Sequence, residues 1–210
     1  MCNICGSTSL EKAHRLYTEG LERGSFASGF LVFTKNHFHL LKQEKPFELE
    51  YLQKTIKDSL DEFGIYYLFH SRAPTNSKQP HFDYTTTHPF NFGFHFVAHN
   101  GIIQNFTDFS NHSEFEVDSS IIPYHLHAYK GDIVKTYSAY KGLLTSWIYD
   151  TENLYLVKAG SSLHMDKDSF SSTSFSGSHQ IEEDGIIYKF TGLKFDQIGN
   201  FPYDNPYFLL

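Results

Sequence analysis

Cysteine stands at position 2, directly behind Met1. It is small enough for an aminopeptidase to remove the methionine, which would leave a thiol and a free α-amine on one residue. A thiolate is a strong nucleophile, and an α-amine with a pKa of roughly 7.7–8.0 can accept a proton near neutrality. One residue would then supply both the attacking group and the base for acyl transfer. Position 2 alone does not select this chemistry, because many chains carry an inert residue there.

Cys5 completes a Cys-x-x-Cys, which opens two other uses. A structural zinc knuckle needs two more ligands, and no second cysteine pair exists; spacing singles out none of the 13 histidines, His14 included. A redox pair belongs after a strand at a helix N-terminus, within a βαβ pattern. The favoured reading makes Cys5 a small buried residue on a first strand. His37/His39 and His125/His127 are spaced to bind metal or to be scattered surface residues. His95 and His99 have the spacing of a zinc-protease helix, but no Glu follows His95 and the segment reads as strand.

Five further blocks follow in order: Gly20-Leu21-Glu22-Arg23-Gly24-Ser25-Phe26-Ala27-Ser28-Gly29, His70-Ser71-Arg72-Ala73-Pro74-Thr75, His88-Pro89-Phe90, Val97-Ala98-His99-Asn100-Gly101-Ile102-Ile103-Gln104-Asn105, and Val117-Asp118-Ser119-Ser120. Behind a Cys at position 2, this series resembles the glutaminase domain of class II glutamine amidotransferases, which are N-terminal nucleophile hydrolases. The resemblance is greatest to the branch holding glucosamine-6-phosphate synthase and amidophosphoribosyltransferase, and it runs from Cys2 to about Phe190. The chain departs from the pattern at Pro74 and Asn76, at Ser25-Phe26 after Arg23-Gly24, in a slightly longer loop between Arg72 and His88, and in a shorter one between Asn100 and Asp118.

The resemblance implies hydrolysis of L-glutamine to glutamate and ammonia through a Cys2 thioester. Breaking an unactivated amide needs a nucleophile, a proton carrier and stabilisation of the carbonyl oxygen. By resemblance the oxygen is received by the Asn100 side-chain amide and the Gly101 N–H. Arg72 is assigned to the substrate α-carboxylate, which a planar guanidinium grips in two places. Asp118 is assigned to the α-ammonium, Thr75 to the substrate backbone, and Arg23 to the closed site beside the nucleophile. His88 and His99 are read as packing and hydrogen-bonding residues, since the terminal amine does the base's work. No cofactor or metal is implied.

These residues must be held by a strand-rich frame. Aromatics make up 17% of the chain, with 21 Phe and 14 Tyr, and such residues favour half-buried sheet surfaces. A strand is expected at Asn3–Gly6 and a helix at Ser9–Glu22 with Ser9 as its cap. A hairpin is expected at Gly29–Thr34 and His37–Lys42, then a helix at Phe47–Phe63 and strands at Gly64–His70 and Phe94–His99. Ser119–His127 reads as a helix interrupted by Pro123, with a second short helix at Ile133–Ala139. Leu143–Tyr149 and Asn153–Lys158 read as a hairpin, Ser169–Ser178 as loop plus short strand, and Ile186–Phe190 as the last strand. Periodicity alone gives mixed α and β. The resemblance implies an α+β fold, a four-layer αββα sandwich with two antiparallel sheets.

Residues 2–190 are expected to form one glutaminase domain and 191–210 an aromatic C-terminal tail. That tail either packs back onto the domain or docks on a partner. Twenty-four acidic against 17 basic residues, with no basic run, argue against nucleic-acid binding. No signal-peptide pattern or membrane-length apolar run is visible, so a cytoplasmic protein is expected. Family members usually carry a synthetase domain behind the glutaminase, so the expected partner is a separate ammonia-accepting synthetase protein. Two alternatives stand beside this reading: hydrolysis of another γ-glutamyl or amide substrate, or a catalytically inactive binding domain of the same fold.

Overall fold

A computed structural model describes residues 2–59, 64–73 and 82–204. Among them the strands, in chain order, are β1 (Asn3–Ser7), β2 (Ala27–Phe33), β3 (Phe38–Gln43), β4 (Tyr66–Arg72), β5 (Phe90–Phe92), β6 (His95–Ile103) and β7 (Gly142–Tyr149). Then come β8 (Leu154–Lys158), β9 (His164–Met165), β10 (Ser169–Ser171), β11 (His179–Gln180), β12 (Ile186–Phe190) and β13 (Phe195–Asn200). The α-helices are α1 (Leu10–Glu19), α2 (Leu49–Ser59), α3 (Ile121–Ala128) and α4 (Ile133–Ser138). None is long and apolar enough to cross a membrane. Contacts divide the chain into two compact units, Met1–Pro89 with His164–His179, and Phe90–Leu163 with Gln180–Leu210.

The first unit is built on a seven-stranded sheet in the order β11-β9-β10-β1-β4-β2-β3. β1, which starts one residue after Cys2, is therefore the middle strand. It runs antiparallel to both neighbours, with Cys5 opposite Phe69 of β4 and Ser171 of β10. Side chains alternate across a strand. Cys5, Phe30, Val32, Tyr67 and Phe69 thus share the face that packs against Leu10, Ala13, Leu16 and Tyr17 of α1 and Leu52 and Ile56 of α2. On the opposite face Ile4, Leu31, Leu68, His70 and Arg72 are also buried. Helix α1 starts where expected: Ser9 is extended and its hydroxyl accepts from Lys12 N–H, a cap worth about 1 kcal/mol. It stops at Glu19, however, and Gly20–Arg23 tightens into a 3-10 turn.

The second unit carries a six-stranded sheet in the order β13-β12-β8-β7-β6-β5. Val97 and Ile103 of β6, Leu144 and Ile148 of β7, Val157 and Ile187 pack with Ile121, Ile122 and Leu126 of α3. Both sheets are antiparallel wherever a register is defined, and with their helices they make an α+β fold.

Several expectations need correction. β6 does not stop at His99 but runs through Asn100-Gly101 to Ile103, paired residue by residue with β7. Pro123 does not interrupt α3, because it lies in the first turn, where a missing N–H costs no intrahelical bond. Ile186–Phe190 is not the last strand: β13 follows and pairs with β12, and Phe201 enters the core of the second unit, which is the packing-back alternative for the residues up to 204. Tyr203 hydroxyl donates to Gly142 O at 2.7 Å. Residues 205–210, like the last residues of the helix expected to reach Phe63, lie outside the described residues.

Candidate active site

Cys2 is half-buried at the head of β1, and its Sγ lies 4.0 Å from Ala73 O, just past the end of β4. The 3-10 turn after α1 brings Arg23 to it: Arg23 Nε donates to Cys2 O at 3.1 Å. Burial pulls the Arg23 guanidinium below its usual range, and the charges of Cys2 and Glu22 oppose that shift. Cys5 is different. Its thiol is fully buried, accepts from Asn3 Nδ2 and contacts Ala13 O, and burial pushes its pKa far up. Residues three apart on an extended strand point to opposite faces and sit about 10 Å apart, beyond disulfide reach. Cys2 and Cys5 are both free thiols in this structure. Among the described residues no group of three or more His, Cys, Asp or Glu is placed to hold a metal ion.

Arg72 ends β4, buried, with Nη1 donating to Thr86 O at 2.8 Å and to Thr86 Oγ1 at 3.2 Å. Thr86 belongs to a turn organised by Asp83, whose carboxylate accepts from Thr85 N–H and whose carbonyl accepts from the Thr87 hydroxyl. Gly24 lies against this strand end: a Cβ there would come within 2.7 Å of Arg72 C and 2.8 Å of Ala73 Cα. The Arg23-Gly24 pair thus delivers a guanidinium toward Cys2 and a bare backbone toward Arg72. His70 and His88 are buried with ring centroids 4.0 Å apart, and the His88–Pro89 peptide is cis. Thr75, expected to hold the substrate backbone, lies outside the described residues.

In the second unit Asn100 is buried in β6 opposite Thr145. Ladder direction fixes where the amides point. Gln104 N–H donates to Lys141 O on the β7 side, whereas Ile103 N–H donates away from β7, to Asp118 Oδ2 at 2.7 Å. Amides two residues apart on a strand share an edge, so Gly101 N–H points to the same side as Ile103 N–H. Among the described residues β5 pairs with β6 only across His95–Val97, and no other strand pairs with that edge beyond it. Glycine at 101 also answers to packing: a Cβ would run into Leu143 O and come 2.7 Å from His99 Nε2.

His99 lies on the helix-facing side of β6, with Nε2 2.7 Å from Leu143 O and Nδ1 2.8 Å from Ser119 Oγ. Ser119 Oγ is also 3.3 Å from Asp118 Oδ1. The sequence marked Asp118 but gave Ser119 no role; the signal was a hydroxyl directly behind a matched acid.

Burial pulls His99 below the ordinary histidine pKa, with Asp118 and the Leu143 carbonyl pushing back. His95 and His125 are lowered for the same reason. An unfolded chain protonates these rings near its ordinary pKa of about 6.5, while the folded protein resists protonation until lower pH. Acid therefore favours the unfolded state. The melting temperature is expected to be level above about pH 7 and to fall as pH drops from about 6.5, with a shallower fall in His99→Gln. A melting temperature that is flat or rising toward pH 5.5, followed by scanning fluorimetry, would contradict this.

No protein-family model matches the sequence, and no curated protein matches it. Solved structures do. A glutamine phosphoribosylpyrophosphate amidotransferase from B. subtilis, solved with ADP and GMP, superposes with a TM-score of 0.69 at 15% identity, over 94% of this chain and 49% of its own. A structure of the allosteric regulatory enzyme of purine biosynthesis gives 0.65 at 19% identity, over 93% and 49%. The chain thus spans about half the length of these two proteins. A glutamine aminotransferase class-II domain protein from Silicibacter pomeroyi gives 0.54 at 11% identity, over 96% of this chain and 100% of its own. At such identities the likeness is one of architecture: the chain has the α+β fold of class II glutamine amidotransferase domains, that of the N-terminal nucleophile hydrolases.

Proposed function

We infer that this chain is a glutaminase that releases ammonia from L-glutamine and, with Met1 removed, uses Cys2 as its nucleophile. The observation that carries the reading is the placement of Cys2 at the head of the central strand of a sheet in this fold, with Arg23 bonded to its carbonyl. Cys2 Sγ attacks the side-chain carbonyl carbon of glutamine, and the thiol proton passes to the Cys2 α-amine. The oxygen, now negative, is received by Asn100 Nδ2 and Gly101 N–H. The C–N bond then breaks, the α-amine returns its proton to the departing ammonia, and a thioester is left on Cys2. Water attacks the thioester, giving glutamate and the free thiol.

Arg72 takes the substrate α-carboxylate, Asp118 the α-ammonium, and Thr75 assists at the backbone. The positions of Gly101 and Asp118 support this division. Both work on one edge of β6, two residues or about 7 Å apart along the strand, a spacing an extended glutamine side chain can bridge. The ammonia is passed to an acceptor-activating synthetase protein, a cytoplasmic partner. Stimulation of glutaminase activity by such a partner, co-purified from the native host, would test that part.

Intact-mass spectrometry before and after treatment with 6-diazo-5-oxo-norleucine, a reactive glutamine mimic, tests the core of the reading. The expected result is a chain lacking Met1 that gains one adduct, mapped to Cys2. A processed chain with an unlabelled Cys2 that also fails to hydrolyse glutamine would sink it. Hydrolysis of a different γ-glutamyl compound in preference to glutamine would replace the substrate while keeping the nucleophile.

A further inference from the structure

Asp118 is a carboxylate with unequal oxygens. Oδ2 is committed to Ile103 N–H at 2.7 Å, while Oδ1 faces only the more distant Ser119 hydroxyl among its described partners, at 3.3 Å. A serine hydroxyl carries one proton, and here two acceptors compete for it. The competition is decided at the far side of His99. Leu143 O can only accept, so Nε2, 2.7 Å away, carries the ring proton. Nδ1 of a neutral ring must then accept, and Ser119 Oγ at 2.8 Å is its donor. The nearer acceptor takes the proton, and Oδ1 keeps its lone pairs. Burial favours the neutral ring on which this depends.

The geometry points to His99 as a positioning residue that draws the Ser119 proton away from Asp118, so that Oδ1 is presented bare to the α-ammonium of the substrate. This rests on the functional reading above. If His99 could not accept, the Ser119 hydroxyl would turn to Oδ1 and compete with the ammonium it should bind. The group at stake is the one that makes the site demand a free amino acid rather than a simple amide. His99 thus sets specificity without touching substrate.

The test compares kcat/KM for L-glutamine with that for glutaramate, which carries the same terminal amide and carboxylate but no α-amino group. His99→Gln keeps an N–H donor for Leu143 O and removes the Nδ1 acceptor. It is expected to lower the glutamine-to-glutaramate ratio about tenfold, the scale of one charged hydrogen bond. Adding Ser119→Ala to that variant removes the competing hydroxyl, and the ratio should return to within about threefold of wild type. A double variant that keeps the full loss, or a single variant with an unchanged ratio, overturns the inference alone. A wild-type protein that hydrolyses neither compound overturns the functional reading, and this inference with it. Should His99→Gln not fold, nitrogen-15 NMR of the wild-type ring decides. A protonated Nε2 with an accepting Nδ1 supports the assignment, and a protonated Nδ1 overturns it.

Discussion

Cys2→Ala is expected to abolish glutamine turnover while leaving a folded protein that still binds glutamine. The loss should be on the order of 10⁴-fold or more in kcat, as when an acyl-transfer nucleophile is removed and only oxyanion contacts remain. No second thiol can take over, because Cys5 is fully buried on the other face of β1 and its thiolate is strongly disfavoured. Alanine permits the same removal of Met1, so the α-amine is retained and the change isolates the sulfur. Cys2 is only half-buried and stands ahead of β1, and the change removes a single sulfur atom, so the melting temperature should hardly move. Calorimetric titration with glutamine and a steady-state ammonia assay separate the two effects. Turnover within about tenfold of wild type would mean that the chemistry runs through another group.

Asn100→Ala carries the second large effect. An oxyanion donor acts mainly in the transition state, so its loss should lower kcat by about 10²–10³ with little change in KM. Its backbone is fixed by pairing with Thr145 in the middle of the β6–β7 ladder, which the substitution does not disturb. Asn100 is 1% exposed, so the variant also leaves a small cavity, and thermal melting should accompany the kinetics. A loss confined to KM would move Asn100 from the carbonyl oxygen to ground-state binding.

What the sequence made legible follows the strength of local signals. Helix α1 announced itself through a capping serine and an apolar stripe, and β12 through a run of branched and aromatic residues between turns. The sequence pattern ends β6 at His99, ahead of Asn100-Gly101. Eight successive pairings with β7 hold it extended instead, a tertiary effect that no window around residue 100 contains. β9 and β11 are two residues each, too short for any alternation. β13 shows mostly exposed and half-exposed residues, so it lacked the apolar signal its pairing would otherwise give. The candidate site was legible as positions: Cys2 with Arg23 near it, Arg72 at a strand end, Asn100-Gly101 and Asp118 on one strand and the turn beside it. Its second layer was not legible. The links from Asp118 through Ser119 to His99, and from Arg72 to Thr86, join segments distant in sequence, and nothing local encodes them.

The central place of β1 also sets an order of events during synthesis. Its two neighbours come from very different points in the chain. β4 follows soon after it, but the bond from Ser172 N–H to Ile4 O joins residues 168 positions apart. At about 5–20 residues per second, the ribosome needs on the order of ten seconds or more to supply that second neighbour. Pairings so distant also form slowly once available. The strand behind Cys2 is therefore still open on one side long after the N-terminus has emerged. An aminopeptidase acting on the nascent chain meets an accessible end, and the sheet closes around β1 only afterwards.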